Sequence, residues 1–141
     1  MSEIIIDATN NIAGRLSTFV AKQALMGNSV NILNSEKVVV SGDVRRTINE
    51  SKHKKFVRGV PRKGPFYSKF ADRFLRRIIR GMLPYKQPRG VEAYKKIMCY
   101  IGVPSEFDIT KAIKIKEADA SKLPDLKFVS LGQLCKEFGA D

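Results

Sequence analysis

The sequence predicts a single α/β domain built around a parallel sheet. Its 141 residues fall within the roughly 100 to 200 residues of one domain. Near its start, apolar runs flank a helical pattern, and a strand, helix, strand order favours parallel pairing. These runs do not alternate with polar residues, which is typical of strands buried on both faces. With 43% hydrophobic and 28% charged residues, the composition is globular and excludes collagen, a coiled coil and wholesale disorder.

The N-terminal elements are predicted from apolar runs and one helical face. Three successive isoleucines predict a strand over Glu3–Asp7. A helix begins at Asn11 and ends at Gly27, because its apolar residues recur at helical spacing and glycine favours a left-handed stop. Two further strands are expected at residues 30–33 and 38–40, the second bounded by a Ser-Gly turn.

A second helix is predicted in the basic centre of the chain. Ser41 or Asp43 caps its start, and Val44, Ile48 and Phe56 turn toward the core. The stretch that follows, residues 58–67, contains two prolines and two glycines and therefore predicts an extended loop. We expect residues 58–69 to be mobile until a partner orders them.

The helix predicted over residues 68–84 has the most clearly separated faces in the chain. Its apolar side chains point one way, and they are Phe70, Phe74, Leu75, Ile78, Ile79 and Met82. Its arginines recur at three- and four-residue steps on the opposite side, and they are Arg73, Arg76, Arg77 and Arg80. Because a guanidinium group can bind two phosphate oxygens at once, this stripe predicts a phosphate-binding helix face.

Less regular structure is predicted in the C-terminal third. A basic link leads to a short helix around Ala93, and residues 97–101 form a fourth strand. Residues 105–126 are interpreted as irregular. The chain then closes with a short helix that contains Leu131, Leu134 and Phe138.

Positive charge is concentrated in one central stretch. Residues 45–96 hold 17 Lys or Arg and three acidic side chains, a net charge of +14, whereas the whole chain carries +12. A patch of one sign attracts polyanions and releases counterions when it docks on phosphates. The alternative is the solvated face of a basic protein. Aromatic residues in the stretch are candidates for stacking on bases, namely Phe56, Phe66, Tyr67, Tyr85 and Tyr94.

We therefore predict a nucleic-acid interface in this stretch. No helix-turn-helix, zinc finger or RNP-type strand is present, which favours a protein that reads the shape and phosphates of folded RNA. The candidate RNA-binding residues are Arg45, Arg46, Lys52, Lys54, Lys55, Arg58, Arg62, Lys63, Lys69, Arg73, Arg76, Arg77, Arg80, Lys86, Arg89, Lys95 and Lys96.

Motifs for catalysis or metal binding are scarce. The single histidine, His53, lies among lysines, which favours a solvent-facing position over a general base. Cys99 and Cys135 are distant in sequence, so zinc is not indicated; buried free thiols are favoured, and a disulfide stays open. Asp7 and residues 10–15 resemble a phosphate-binding junction with one glycine where the nucleotide fingerprint has three. A small RNA-processing or nucleotide-dependent enzyme that uses Asp7 is therefore the alternative hypothesis.

The sequence is expected to belong to a protein of a reducing compartment. Its first ten residues lack the basic leader and apolar core of a secretory signal. No apolar stretch approaches the roughly 18 to 20 residues that a bilayer requires. We therefore expect a cytoplasmic protein without a membrane partner.

Several ordered motifs in the sequence resemble those of one known protein family. Its signature is similar to Arg80-Gly81-Met82-Leu83-Pro84, followed by Gly90 and the apolar run at 97–102. Its opening helix and next strands resemble Asp7-Ala8, Ala13-Gly14-Arg15-Leu16-Ser17, Val20-Ala21-Lys22, Asn34 and residues 38–42. The archaeal and eukaryotic branch is similar at Gly64-Pro65-Phe66-Tyr67, Lys127-Phe128 and Leu131-Gly132.

The family that these motifs resemble is the ribosomal protein L13 family of the large subunit, and the resemblance implies a fold and a role. The fold would be a three-layer α/β/α domain on a four-stranded, mainly parallel sheet, covering residues 1–141 with a basic RNA-binding segment at 45–96. The role would be a structural constituent of the large ribosomal subunit that binds its RNA, supports assembly and serves translation beside neighbouring ribosomal proteins. Arg76, Arg80 and residues 86–89 would lie against RNA, and residues 81–83 would serve packing.

The resemblance also implies what the protein does not need. It implies no enzymatic activity, and we also expect no cofactor, no metal and no homo-oligomer. A third hypothesis places the same basic surface on messenger RNA or acidic proteins away from the ribosome, as a cytosolic regulator.

Overall fold

Five strands and five α-helices are the main elements of the part of the chain that the structure describes. The computed structural model describes residues 2–57, 59–60 and 62–140. Its strands are β1 (Glu3–Asp7), β2 (Ser29–Leu33), β3 (Val39–Ser41), β4 (Ile97–Cys99) and β5 (Phe128–Ser130). Its helices are α1 (Ala13–Leu25), α2 (Val44–Lys52), α3 (Ala71–Gly81), α4 (Pro88–Lys95) and α5 (Leu131–Glu137). A π-helical turn, His53–Val57, extends α2.

The centre of the fold is a parallel sheet with the strand order β1-β2-β4. Ile6 lies opposite Ile32, and Val30 lies opposite Ile97. Both crossovers advance in the same direction across the sheet, so right-handed connections place α1, α3 and α4 on one face. Contacts of α1 with both α3 and α4 agree with that arrangement. The predictions of one α/β domain, of parallel pairing and of β1, β2 and β4 are confirmed.

The prediction of a four-stranded, mainly parallel sheet was wrong for one of its strands. Residues 38–40 were assigned to the parallel sheet, but β3 pairs antiparallel with β5 in a separate two-stranded sheet, with Val40 opposite Val129. β5 escaped the sequence analysis, since three residues are too few to show a strand periodicity.

Residues 105–126 form short helical turns and loops that pack onto the rest of the protein. Ile113 pairs with the outer edge of β1: its N–H donates to the carbonyl of Ile5 (2.8 Å), and its carbonyl accepts from the N–H of Asp7 (3.1 Å). Ile115 and Ala118 are buried in the main core. The irregular segment therefore covers one edge of the sheet.

The main core lies between the parallel sheet and its helices. Its largest fully buried side chains are Ile6, Leu16, Val20, Val30, Ile32, Val38, Leu75, Ile79, Ile97, Leu131 and Leu134. Both cysteines are buried free thiols, as predicted. Burial raises the pKa of Cys99 to about 12 and that of Cys135 to about 11, so both thiols stay protonated at neutral pH.

The two central helices are shorter than predicted at their ends. Phe70 and Met82 flank α3 instead of facing the core, and each side chain is 43% exposed. Phe56, also expected inside, lies on the π-helical turn and is 63% exposed. Leu75 and Ile79 are buried as predicted. The error arose because helical spacing was extended beyond the residues that form the helix.

α2 lies on the protein surface. The Asp43 carboxylate caps it by accepting a hydrogen bond from the backbone N–H of Arg46 (3.0 Å). None of its nine described residues is buried, although Val44 and Ile48 are partly covered. None of the described helices is long and apolar enough to cross a membrane.

Candidate nucleic-acid interface

Four arginines of α3 lie over four aromatic rings. The guanidinium carbons lie 5.6 Å (Arg73 over Phe70), 4.4 Å (Arg76 over Tyr94), 4.1 Å (Arg77 over Tyr67) and 5.0 Å (Arg80 over Tyr85) from the ring centres. We call these four pairs the arginine–aromatic layer. Cation–π attraction orients the planar guanidinium groups. Three tyrosines that were expected to stack on bases therefore stack on arginines instead, and they are Tyr67, Tyr85 and Tyr94.

Arg76 is built into the fold. Its Nε donates to the carbonyl of Ile97 (3.0 Å), and its Nη2 donates to the carbonyl of Tyr94 (3.3 Å). Lys96 and Tyr100 form the hydrogen bonds to β2, so the alternation along β4 turns the Ile97 carbonyl toward the strand's outer edge. The Arg76 guanidinium therefore occupies part of an edge that would otherwise be open to another strand.

Replacing Arg76 should destabilise the protein rather than only weaken its binding. We expect Arg76→Gln to lower the free energy of unfolding by about 2 kcal/mol, because two charged hydrogen bonds to backbone carbonyls are lost from a half-buried site. Urea denaturation followed by circular dichroism measures the change. Arg73→Gln, on the exposed side of the same helix, should stay within about 0.5 kcal/mol of the wild type.

The segment of Phe66 and Tyr67 is held from two sides. Arg77 Nη1 donates to the carbonyl of Phe66 (2.6 Å), and Lys55 Nζ donates to the carbonyl of Tyr67. Phe66 itself projects outward and is 70% exposed. Arg80 Nε is buried and lacks a hydrogen-bond partner among the described residues. The end of the loop that is expected to reach RNA is therefore fixed to α3 and to the π-helical turn.

The structure divides the predicted RNA-binding residues into two groups. Ten are exposed: Arg45, Arg46, Lys54, Arg62, Lys63, Lys69, Arg73, Lys86, Arg89 and Lys95. Six are half-buried: Lys52, Lys55, Arg76, Arg77, Arg80 and Lys96. Lys52 pairs with Glu137 (2.8 Å), and Lys96 Nζ donates to the carbonyl of Gly27 (3.3 Å). Arg58 lies outside the described residues. Contact with RNA stays a prediction for all of them.

The basic segment contains few acidic side chains to neutralise it. Glu50 pairs with Arg46 at 3.0 Å, but both groups are exposed, so the pair contributes little. Lys22 of α1, which is not among the predicted RNA-binding residues, lines a shallow groove together with Arg89. Its distance from residues 45–96 in sequence hid this neighbour, because α1 and α4 meet only in the folded chain.

Asp7 holds the turn that follows β1. Its Oδ1 accepts hydrogen bonds from Thr9 N–H (3.2 Å), Thr9 Oγ1 (2.7 Å) and Asn34 Nδ2 (3.0 Å), and its Oδ2 lies 3.8 Å from Lys114 Nζ. Burial disfavours ionisation, but the hydrogen bonds from Asn34 and Thr9 outweigh it and lower the pKa of Asp7. His53 is exposed, as predicted. Across residues 2–57, 59–60 and 62–140, no cluster of three His, Cys, Asp or Glu side chains could hold a metal ion.

The role of Asp7 in the turn predicts a pH dependence. Because its pKa is lowered by folding, ionised Asp7 stabilises the protein above the ordinary carboxyl pKa of 3.8, and this contribution is lost as pH falls through the lowered value. We expect Asp7→Asn to lower the free energy of unfolding by about 1 to 2 kcal/mol at neutral pH. The difference from wild type should narrow below pH 3.8 in urea denaturation series. A difference that does not change with pH would contradict this account.

The fold and this surface define a class of protein: a small, basic α/β protein whose cationic face suits a polyanion. The sequence model of the ribosomal protein L13 family matches residues 1–106. The chain belongs to that family, and the resemblance seen in its motifs is confirmed.

Relatives from archaea match nearly the whole chain. Large ribosomal subunit protein uL13 of Methanopyrus kandleri is 44% identical over 138 residues, which cover 96% of this chain and 86% of that protein. The proteins of the same name from Methanosarcina barkeri and Methanocaldococcus jannaschii are 42% and 40% identical, and each match covers 96% of this chain and 97% of the relative. The similarity therefore continues beyond residue 106 into the C-terminal third.

Proposed function

We propose that this protein is a structural constituent of the large ribosomal subunit that binds large-subunit RNA and supports its assembly for translation. Membership of the ribosomal protein L13 family supports the role. The archaeal relatives carry the name of a large-subunit protein over nearly their full length. Residues 45–96 form the RNA-binding segment of the single domain, and neighbouring large-subunit proteins are its other partners.

The arginine–aromatic layer is the observation that carries the RNA-binding part of this proposal. Each guanidinium group is oriented by a ring at 4.1 to 5.6 Å, so less side-chain entropy is lost when a phosphate binds. A rigid helix that presents several such groups suits the phosphates of a folded RNA, whose backbone brings charges close together. The exposed lysines and arginines around the layer add electrostatic attraction.

The role we propose is structural, without catalysis, a resident cofactor or self-association. The residue on which an enzymatic alternative depends, Asp7, has its carboxylate engaged by Thr9 and Asn34 in the turn. A carboxylate with a lowered pKa and these partners is suited to hold a turn rather than to accept a proton at neutral pH.

Gradient sedimentation of a cell lysate tests the proposal. The protein should travel with the large subunit in stoichiometric amount and remain there at about half-molar salt, where loosely held basic proteins dissociate. Probing the fractions with an antibody to this chain gives the distribution. A protein that stays at the top of the gradient in low salt would contradict the ribosomal role.

A further inference from the structure

We infer that a cavity beside the arginine–aromatic layer receives one unpaired nucleobase of the RNA, an inference that rests on the proposed function. The cavity has a volume of about 250 Å³ and lies between α2, α3 and the C-terminal end of α5. Phe74, Ile78 and Phe138 supply its apolar lining. Pockets for drug-sized ligands have volumes of roughly 300 to 1,000 Å³, so this one suits a smaller ligand such as a single flat ring system.

One wall of the cavity is positioned before any ligand arrives. Tyr67 and Arg77 line it as a stacked pair, and the guanidinium carbon of Arg77 lies 4.1 Å from the centre of the Tyr67 ring. Arg77 is bonded to the carbonyl of Phe66, and Lys55 is bonded to the carbonyl of Tyr67. Helix α3 and the π-helical turn therefore fix the wall together. A ring that enters meets a rigid surface, and little ordering cost opposes its binding.

The charge at the rim of the cavity favours a flat ring that is joined to a negatively charged group. Lys54 on the rim is exposed and forms no ion pair with the described residues, whereas Lys52 is paired with Glu137 at 2.8 Å. A nucleotide combines a flat ring with a phosphate, and RNA presents that combination wherever a base leaves its stack. An aromatic side chain of a neighbouring protein would bring the ring without the phosphate. The charge around the cavity therefore favours RNA over a protein partner.

The test compares two short RNA hairpins that differ by a single bulged adenosine. We expect the purified full chain to bind the bulged hairpin about 5- to 150-fold more tightly than the paired one, which is the range for one base stacked on aromatic side chains. Adenosine 5′-monophosphate, titrated separately, should shift the amide signals of Ser51 and Ile78, and ribose 5-phosphate should not. Equal binding of both hairpins to the wild type would overturn the inference and leave the proposed function standing.

Three variants connect the preference to the cavity. Ser51→Trp fills the cavity from α2 and should remove the preference for the bulged hairpin. Asn49→Trp places the same side chain on the exposed side of α2 and should keep it. Lys54→Glu leaves the cavity open but reverses the charge at its rim, so it should also remove the preference. A preference that survives both Ser51→Trp and Lys54→Glu would overturn the inference.

Other outcomes identify a different occupant. Tighter binding of the mononucleotide than of the bulged hairpin would make the ligand a free nucleotide and overturn the assignment to RNA. A structure of the assembled subunit with a protein side chain in the cavity would overturn it as well. Failure of both hairpins to bind would contradict the RNA contact in the proposed function itself.

Discussion

Replacing six exposed cations of residues 45–96 with glutamine is expected to weaken binding to large-subunit RNA by about a thousandfold or more at roughly 0.1 M salt. The chosen residues are Arg45, Arg62, Lys63, Lys86, Arg89 and Lys95, all exposed. Each cation that neutralises a phosphate adds about 0.9 to the slope of log affinity against log salt. Filter binding at several salt concentrations measures both the affinity and the slope. The fold should be retained, because the replaced side chains lie outside the core.

A second set of six lysines provides the matched control. Lys37, Lys111, Lys116, Lys122, Lys127 and Lys136 are also exposed but lie outside residues 45–96. Replacing them with glutamine removes the same total charge from a chain of net charge +12. Binding should fall much less, since attraction at a distance is screened by salt. Equal losses in the two variants would show that net charge, rather than this surface, drives RNA binding.

Gly90→Ala is expected to be the most destabilising single substitution proposed for this chain. Gly90 is buried in the first turn of α4, and a Cβ atom there would lie 2.0 Å from the carbonyl oxygen of Pro84 and 2.3 Å from its carbonyl carbon. Backbone atoms cannot rotate away as a flexible side chain can. We expect a loss of about 3 kcal/mol or more in the free energy of unfolding. Thermal denaturation should show a melting temperature lower by roughly 10 °C.

Gly14→Ala is the control for this substitution. Gly14 also lies within the first turn of a helix, α1, but no described atom outside its local backbone lies within 4 Å of the Cβ position. Alanine there should be neutral or stabilise the protein by up to about 1 kcal/mol, because glycine loses more backbone entropy on folding. If Gly90→Ala melted with the wild type, the close contact of α4 with Pro84 would not be a constraint on the fold.

Local sequence patterns were sufficient to predict the strands of the parallel sheet and the helices that pack on it. The isoleucine run of β1 and the helical spacing in α1 and α3 predicted elements that the structure contains. The patterns failed for β3 and β5, which pair across a long sequence separation through three residues each. Nothing in residues 39–41 distinguishes a parallel partner from an antiparallel one. The assignment of residues 105–126 as irregular was correct but did not reveal that Ile113 pairs with β1.

The candidate site was predictable as a surface but not as a set of contacts. Helical spacing separated the arginines of α3 from Leu75 and Ile79, which are buried, whereas Arg73 is exposed and the other three arginines are half-buried. It could not show that the side chain of Arg76 ends on the carbonyl of Ile97, because that partner lies 21 positions away in sequence. The same limit applies to Tyr67 and Tyr85, which the sequence predicted to stack on bases. In the structure, these two rings contact arginines instead.

The pairing of Ile113 with β1 sets a condition on how this chain folds while it is being made. β1 is synthesised before its edge partner, which follows 107 positions after Ile6. Until then the N–H and carbonyl groups of that edge are open to pairing with other chains. Contacts this distant in sequence also form late, because the loop entropy must be lost first. The growing chain therefore carries an open, aggregation-prone strand edge until Ile113 has been made, and protection by chaperones matters most for β1 during that interval.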